Sequence, residues 1–308
     1  MKRTSLFIAG LLIAAAASQA HANLLFYDSF NYAPATSLGT AGTPTWAKNG
    51  ASPDPTVQNV GGLSFPGLVV SGDTLSLQYD GSGINTGSGN PAATDGTTLS
   101  AGGISTDSLY YSLLMKVTAI QTFGGGTGNG FATGTANLTQ GSFMAGMQTI
   151  AASSAPGTLT TAGPLLIRSG DGTQFSPTYQ LGTCRTTTPA DRQFYTGQAF
   201  NVNDTVFVVV KYDFGATTAS LFINPTPGSS EGSAQLAVSG GAALTLNTGV
   251  KSFFVRNNSV EPDALLIDEL RIGTTWADVT PAPEPGTAAL AIVGGFALLA
   301  LRKLRSPV

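Results

Sequence analysis

The chain has 308 residues, 14 basic and 17 acidic side chains and a formal charge of −3; only 10% of its residues are charged, and glycine alone accounts for 39. It is too apolar and too rich in β-branched runs for a disordered polymer, and too poor in Glu, Lys and Leu for a helical protein. The acidic balance argues against nucleic acid, which calls for a basic face.

At the start, Met1-Lys2-Arg3 is a basic region, Leu6 to Ala17 is apolar, and Ala20-His21-Ala22 is a small-x-small cleavage site. This predicts a secretory signal over residues 1–22, cut before Asn23 by signal peptidase at Ala20 and Ala22. The alternative, an uncleaved anchor, is disfavoured because the apolar run is short for a spanning helix. Without the five terminal basic residues (Lys2, Arg3, Arg302, Lys303, Arg305) nine remain, and without Glu284 sixteen acids remain, so the exported part carries about −7.

Two absences bound its chemistry. The only histidine, His21, lies in the predicted signal, so the mature chain has no imidazole for a catalytic triad, a near-neutral general base or a zinc site. The only cysteine, Cys184, has no disulfide partner within the chain and no histidine to activate it, and is expected as a small, partly buried residue near a strand end.

Residues 23–281 read as one β domain. Leu24 to Phe30 is the first strand candidate. A long Pro/Gly/Thr/Asn region from Asn31 to Pro66 follows, with Trp46 as its anchor. Leu68 to Val70 and Thr74 to Tyr79 read as short strands around a Ser71-Gly72-Asp73 turn. Along Ser108 to Ile120, Leu109, Tyr111, Leu113, Met115 and Val117 alternate with Tyr110, Ser112, Leu114 and Lys116, which splits the strand into two faces. The glycine-rich Gly124 to Gly130 lacks the Gly-Lys-Ser/Thr of a phosphate loop and reads as a hairpin loop.

Ser142 to Ile150, Pro164 to Arg168 and Thr178 to Leu181 are further strands, with Ser169 to Gly172 as a tight turn between two of them. Thr205 to Phe214 is nearly continuously apolar, the pattern of a strand buried on both faces. Gly215 to Thr218 turns it into a partner from Ala219 to Pro225. Val250 to Arg256 and Ala264 to Ile272 close the domain. Many short strands between turn signals predict an all-β sandwich.

Three stretches carry a resemblance: Phe26 to Tyr32, Val208 to Tyr212 with Ser220 to Pro225, and Ile267 to Val279. They resemble concanavalin-like, laminin-G-type jelly rolls, which implies a jelly-roll β-sandwich with its first and last strands adjacent. Such a fold does not supply a site. The jelly-roll glucanases carry Glu-x-Asp-x-x-Glu on one strand, which this chain lacks; Asp268 and Glu269 are adjacent and are expected on opposite strand faces. No catalytic residue and no metal ligand is therefore assigned, and no enzyme is expected. Calcium is the one cofactor left open: Asp28, Asp80, Asp171, Asp213 and Asp268 lie in or beside turns but lack an EF-hand spacing. Trp46, Trp276 and eight Tyr could stack on sugars, although Trp276 is expected to plug the sandwich end.

The last segment, 282–308, carries Pro283-Glu284-Pro285, an uncharged run from Thr287 to Leu301, and the basic cluster Arg302, Lys303 and Arg305. As a helix, residues 287–301 span roughly 22 Å against a ~30 Å hydrocarbon core, barely enough for a transmembrane helix. The basic cluster holds the cytoplasmic side, so the large domain faces outward. The three features in this order resemble the PEP-CTERM sorting signal. That implies processing by an exosortase-type membrane enzyme near the Pro-Glu-Pro motif. The expectation is a non-enzymatic protein exported across the inner membrane and anchored there at least transiently, then placed in the cell envelope, on the surface or outside the cell. Its role is structural or adhesive, or else it binds or weakly cleaves extracellular polysaccharide.

Overall fold

Apolar side chains recurring at every second residue give each long strand a face to bury, and two such sheets satisfy one another by stacking. A computed structural model describes residues 24–40, 46–48, 55–58, 61–78, 93–99, 103–105, 107–120, 135–152, 154, 159–173, 175–241, 244, 249–257, 262 and 264–281. The predicted signal peptide, the Gly124 to Gly130 segment, Asp80, and the tail with its motif, helix 287–301 and basic cluster lie outside the described residues. Among the described residues no helix is long and apolar enough to cross a membrane.

In chain order the strands are β1 (Leu24–Asp28), β2 (Trp46–Lys48), β3 (Thr56–Gln58), β4 (Thr74–Gln78), β5 (Ala93–Thr98), β6 (Ser108–Ala119), β7 (Ser142–Gln148) and β8 (Thr161–Ser169). There follow β9 (Thr178–Thr183), β10 (Gln193–Phe194), β11 (Phe200–Asn201), β12 (Thr205–Asp213), β13 (Thr218–Ile223), β14 (Leu236–Val238), β15 (Ser252–Asn257) and β16 (Ala264–Gly273). Two short α-helices, α1 (Thr135–Gln140) and α2 (Trp276–Val279), and 3-10 turns at Leu38–Thr40 and Pro189–Asp191 complete the described elements.

The protein is an all-β sandwich of two antiparallel sheets. The first runs β14-β13-β12-β6-β16-β4-β3, and the second β10-β9-β8-β7-β15-β5-β2 with β11 beside β9. β16 shares one edge between two partners: β4 pairs with Ala264 to Ile267, and β1 with Leu270 to Gly273. First and last strands are thus neighbours, with Asp28 opposite Leu270. Phe30 lies just beyond β1 and is buried in the same core.

The two faces of β6 divide as its alternation predicts. Leu109, Tyr111, Leu113, Met115 and Val117 enter the core between the sheets, whereas Tyr110 and Leu114 point outward. β12 is buried on both sides: Val206, Val208 and Val210 face the inter-sheet core, and Phe207 and Val209 face a second apolar cluster. That cluster lies on the outer face of the first sheet, under Leu63, Leu68 and α2.

Two expectations need correction here. Leu68 to Val70 is not a strand; Leu68 packs onto this outer face while Val69 is exposed. Trp276 does not plug an end. It is the first residue of α2, meets the Tyr110 and Phe222 rings at 6.4 and 4.8 Å, and donates Nε1–H to the Ser229 carbonyl. Thr275 and Asp278 hold that turn by reciprocal capping.

Candidate functional site

The acidic residues on β16 are the first place to look for chemistry, and there the strand departs from regular pairing. Asp268 lies opposite Leu114 of β6, yet Arg271 lies opposite Ser112, so β16 holds one residue more than its partner. This is a β-bulge, with Glu269 in the left-handed region at φ 51°. The bulge overturns the expectation of opposite faces. Asp268 shares the outward side with Leu114, and the Glu269 carboxylate meets Tyr27 and Arg271, which are paired across β1 and β16.

Both carboxylates are fully buried and taken up by donors. Asp268 accepts the backbone N–H groups of Leu63 at 2.8 Å and of Glu269 at 2.7 Å. Glu269 accepts the Tyr27 hydroxyl, the Ser71 backbone N–H at 2.7 Å and Arg271 Nη2 at 3.0 Å. The Arg271 guanidinium also lies 4.1 Å from the Tyr27 ring centre. Gly72, at φ 87°, lets the 71–73 turn come close enough for Ser71 to reach Glu269; a Cβ there would collide with the Ser29 carbonyl. The arrangement clamps β1 and the 61–73 segment between β3 and β4 onto β16.

Burial pushes Asp268 up to about 7, against the two N–H donors that favour its charged form; Glu269 and Asp28 add repulsion. The unfolded chain releases this proton near pH 4. The folded state therefore binds the extra proton between about pH 4 and 7, and stability falls as pH rises through that window. Wild type is expected to be more stable at pH 5 than at pH 8 by about 3 kcal/mol at most. Asp268→Asn should flatten this slope while lowering stability at both pH values, because its amide cannot accept both N–H groups. Urea melts of the two proteins across pH 4–8 check it, and an unchanged slope in the variant would assign the titration elsewhere.

The other acidic residues weighed for calcium or catalysis also serve local structure. Asp28 accepts Trp46 Nε1–H at 2.7 Å, the Phe30 N–H at 2.7 Å and the Tyr32 hydroxyl at 2.9 Å, and so ties Tyr32 and the buried Trp46, the expected anchor, to the end of β1. Asp171 accepts the N–H and hydroxyl of Thr173 and the Ser169 hydroxyl within the 170–177 connection, which is longer than the tight turn predicted there. Asp213 closes the β12–β13 turn by accepting the Ala216 N–H. Outside that set, Glu231 is tied to the Tyr110 hydroxyl and Lys211 Nζ at 2.8 and 3.1 Å. Among the described residues no three Asp, Glu, His or Cys side chains converge on a metal position. Cys184 is buried just after β9, and burial pushes its thiol up to about 12, so no thiolate exists at neutral pH.

The organised polar surface lies instead on the outer face of the second sheet. Strand register sets Phe194, Gly182, Leu166 and Phe143 in one row across β10, β9, β8 and β7. A Cβ at Gly182 or Gly141 would strike the Phe194 ring, so these glycines let the ring lie flat on the sheet. Arg168 sits 4.5 Å from the Phe194 centroid, and Arg192 and Arg256 sit 5.8 and 4.0 Å from that of Phe143. Arg256 is buried, whereas Arg168, Arg192, Phe143 and Phe194 are half-buried. Sequence reading missed this row, because its members are scattered from 143 to 256 and meet only through register.

No family model matches the chain, and no curated protein matches it in sequence. Among solved structures it is similar to a carbohydrate esterase from the Shiga toxin-encoding bacteriophage phi24B, at 9% identity and a TM-score of 0.44, over 82% of this chain and 98% of that one. It is also similar to an alginate lyase in complex with alginate tetrasaccharide, at 12% identity and TM-score 0.43, over 81% and 95% of the two chains. Peanut lectin with a nine-residue peptide gives 14% identity and TM-score 0.40, over 80% and 96%. At these values the likeness carries no argument about activity, and the sandwich assignment rests on the sheet topology itself.

Proposed function

We propose that this is an exported, non-catalytic β-sandwich protein of the cell envelope or extracellular matrix, delivered by its PEP-CTERM-like tail and acting as a structural or adhesive element. The observation that carries the non-catalytic reading is the commitment of the buried carboxylates. Asp28, Asp268 and Glu269 each accept two or more structural hydrogen bonds and are buried, so these three are not available as the water-facing acid and base pair that glycoside hydrolysis needs. The adjacency of β1 and β16 supports the jelly-roll reading of the sandwich.

A second reading, carbohydrate binding, is favoured by the aromatic and arginine row on the second sheet. A panel of neutral and acidic polysaccharides incubated with the full-length protein and assayed for reducing ends separates the classes. No turnover above the blank is expected. Sustained release by the folded protein would overturn the non-catalytic reading and make it a polysaccharide-cleaving enzyme.

A further inference from the structure

We infer that the outer face of the second sheet is a binding strip for an extended acidic polysaccharide, with Arg168 and Arg192 reading the carboxylates and Phe194 and Phe143 forming the floor. This deepens the carbohydrate-binding reading and rests on it.

The charge distribution is the first support. Residues 23–281 hold nine basic side chains against sixteen acids, yet this one face gathers Arg168, Arg192 and Arg256. Arg168 is held by neutral oxygens only: Nε and Nη2 donate to Gln180 Oε1 at 2.9 and 2.7 Å, and Nη1 to the Thr139 carbonyl at 3.0 Å. Burial alone pulls its guanidinium below the ordinary value, with no carboxylate opposing the shift. A desolvated cation whose charge is not cancelled attracts an anion more strongly than a hydrated one does.

The fixing of the side chains is the second support. Arg192 bonds the Gln140, Gly141 and Thr187 carbonyls, and each of the two half-buried forks lies near a phenyl ring. A planar fork fixed in advance loses little entropy on meeting a carboxylate; Arg168 keeps one N–H on each of Nη1 and Nη2 for a bidentate match, and Arg192 adds its charge beside it.

Spacing chooses among polyanions. The row from β10 to β15 crosses four strand intervals, about 19 Å at ~4.8 Å each, and carries three guanidiniums. Duplex DNA presents one charge per ~1.7 Å and would meet the repulsion of an otherwise acidic domain. A chain with about one carboxylate per sugar suits the strip better, and its apolar sugar faces fit the phenyl rings.

The test uses the full chain in detergent, with polygalacturonate, neutral dextran and duplex DNA as probes, read by biolayer interferometry at two salt concentrations. Polygalacturonate is expected to bind, to weaken as salt rises, and to exceed the other two at least tenfold. Arg168→Gln should lower that affinity about tenfold, Arg168→Lys should lower it less because charge remains without the fork, and Lys211→Gln on the other sheet should leave it unchanged. If Arg168→Gln does not fold, the Lys variant decides: wild-type affinity there overturns the role of the fork. Equal binding of dextran, preferential binding of DNA, or no polygalacturonate binding overturns the inference. None of these results bears on the sorting tail, which is tested separately.

Discussion

Val208→Asp is expected to leave no folded protein. Val208 is fully buried at the centre of β12, between Leu113 of β6 and Ile223 of β13, with its side chain in the inter-sheet core. No donor reaches that position, so an ionised carboxylate would lose its hydration without replacement, and even a protonated one would be an unsatisfied polar group. The cost, about 5 kcal/mol or more, is comparable to the ~5–15 kcal/mol that holds a typical domain together. Val69→Asp is the matched control, because Val69 is 55% exposed and its change should shift stability by no more than about 0.5 kcal/mol. Circular dichroism melts of both variants decide: a cooperative transition in Val208→Asp would show that β12 is misplaced.

Glu269→Ala is expected to cost about 3–5 kcal/mol, because it strips the carboxylate from Arg271, Tyr27 and the Ser71 N–H together. Glu269→Gly removes the same contacts but suits the left-handed backbone at φ 51°. It should therefore be about 1 kcal/mol more stable than the alanine variant. The ordinary expectation at a strand position is the reverse, since glycine there is the weaker residue. Urea denaturation of the pair separates the two: alanine at least as stable as glycine would mean that the bulge is absent or relaxes on mutation.

The longest strands were legible because a sheet face repeats every two residues. Alternation along Ser108 to Ile120 predicted the two faces of β6, though not the apolar cluster on its outer one, and the unbroken run in β12 predicted burial on both sides. The strands that reading missed, β2, β3, β5 and β14 among them, are three to six residues long and drawn from Thr, Gly and Ala-rich stretches. Their pairing is imposed by neighbours such as β4 and β15, which their own sequences do not reveal. The bulge was hidden for a different reason. Its cause is a single backbone angle at a glutamate, a residue that seldom adopts it. The expectation that Asp268 and Glu269 face opposite ways failed for the same reason: they share the outward side and accept hydrogen bonds from the 61–73 segment. The arginine row needed a register across five strands, which no local pattern contains.

The central claim, delivery by the tail, was read from Pro283-Glu284-Pro285, the apolar run and Arg302, Lys303 and Arg305, in that order. Its most direct test replaces Glu284 and Pro285 with Ala in the full chain, expressed in a host that encodes an exosortase. Membrane, periplasmic and extracellular fractions are then blotted for the sandwich domain beside wild type. The account predicts that the variant inserts normally and accumulates at full length in the membrane while wild type is shortened and moves outward. A variant processed and released like wild type would contradict it, leaving the tail a plain membrane anchor.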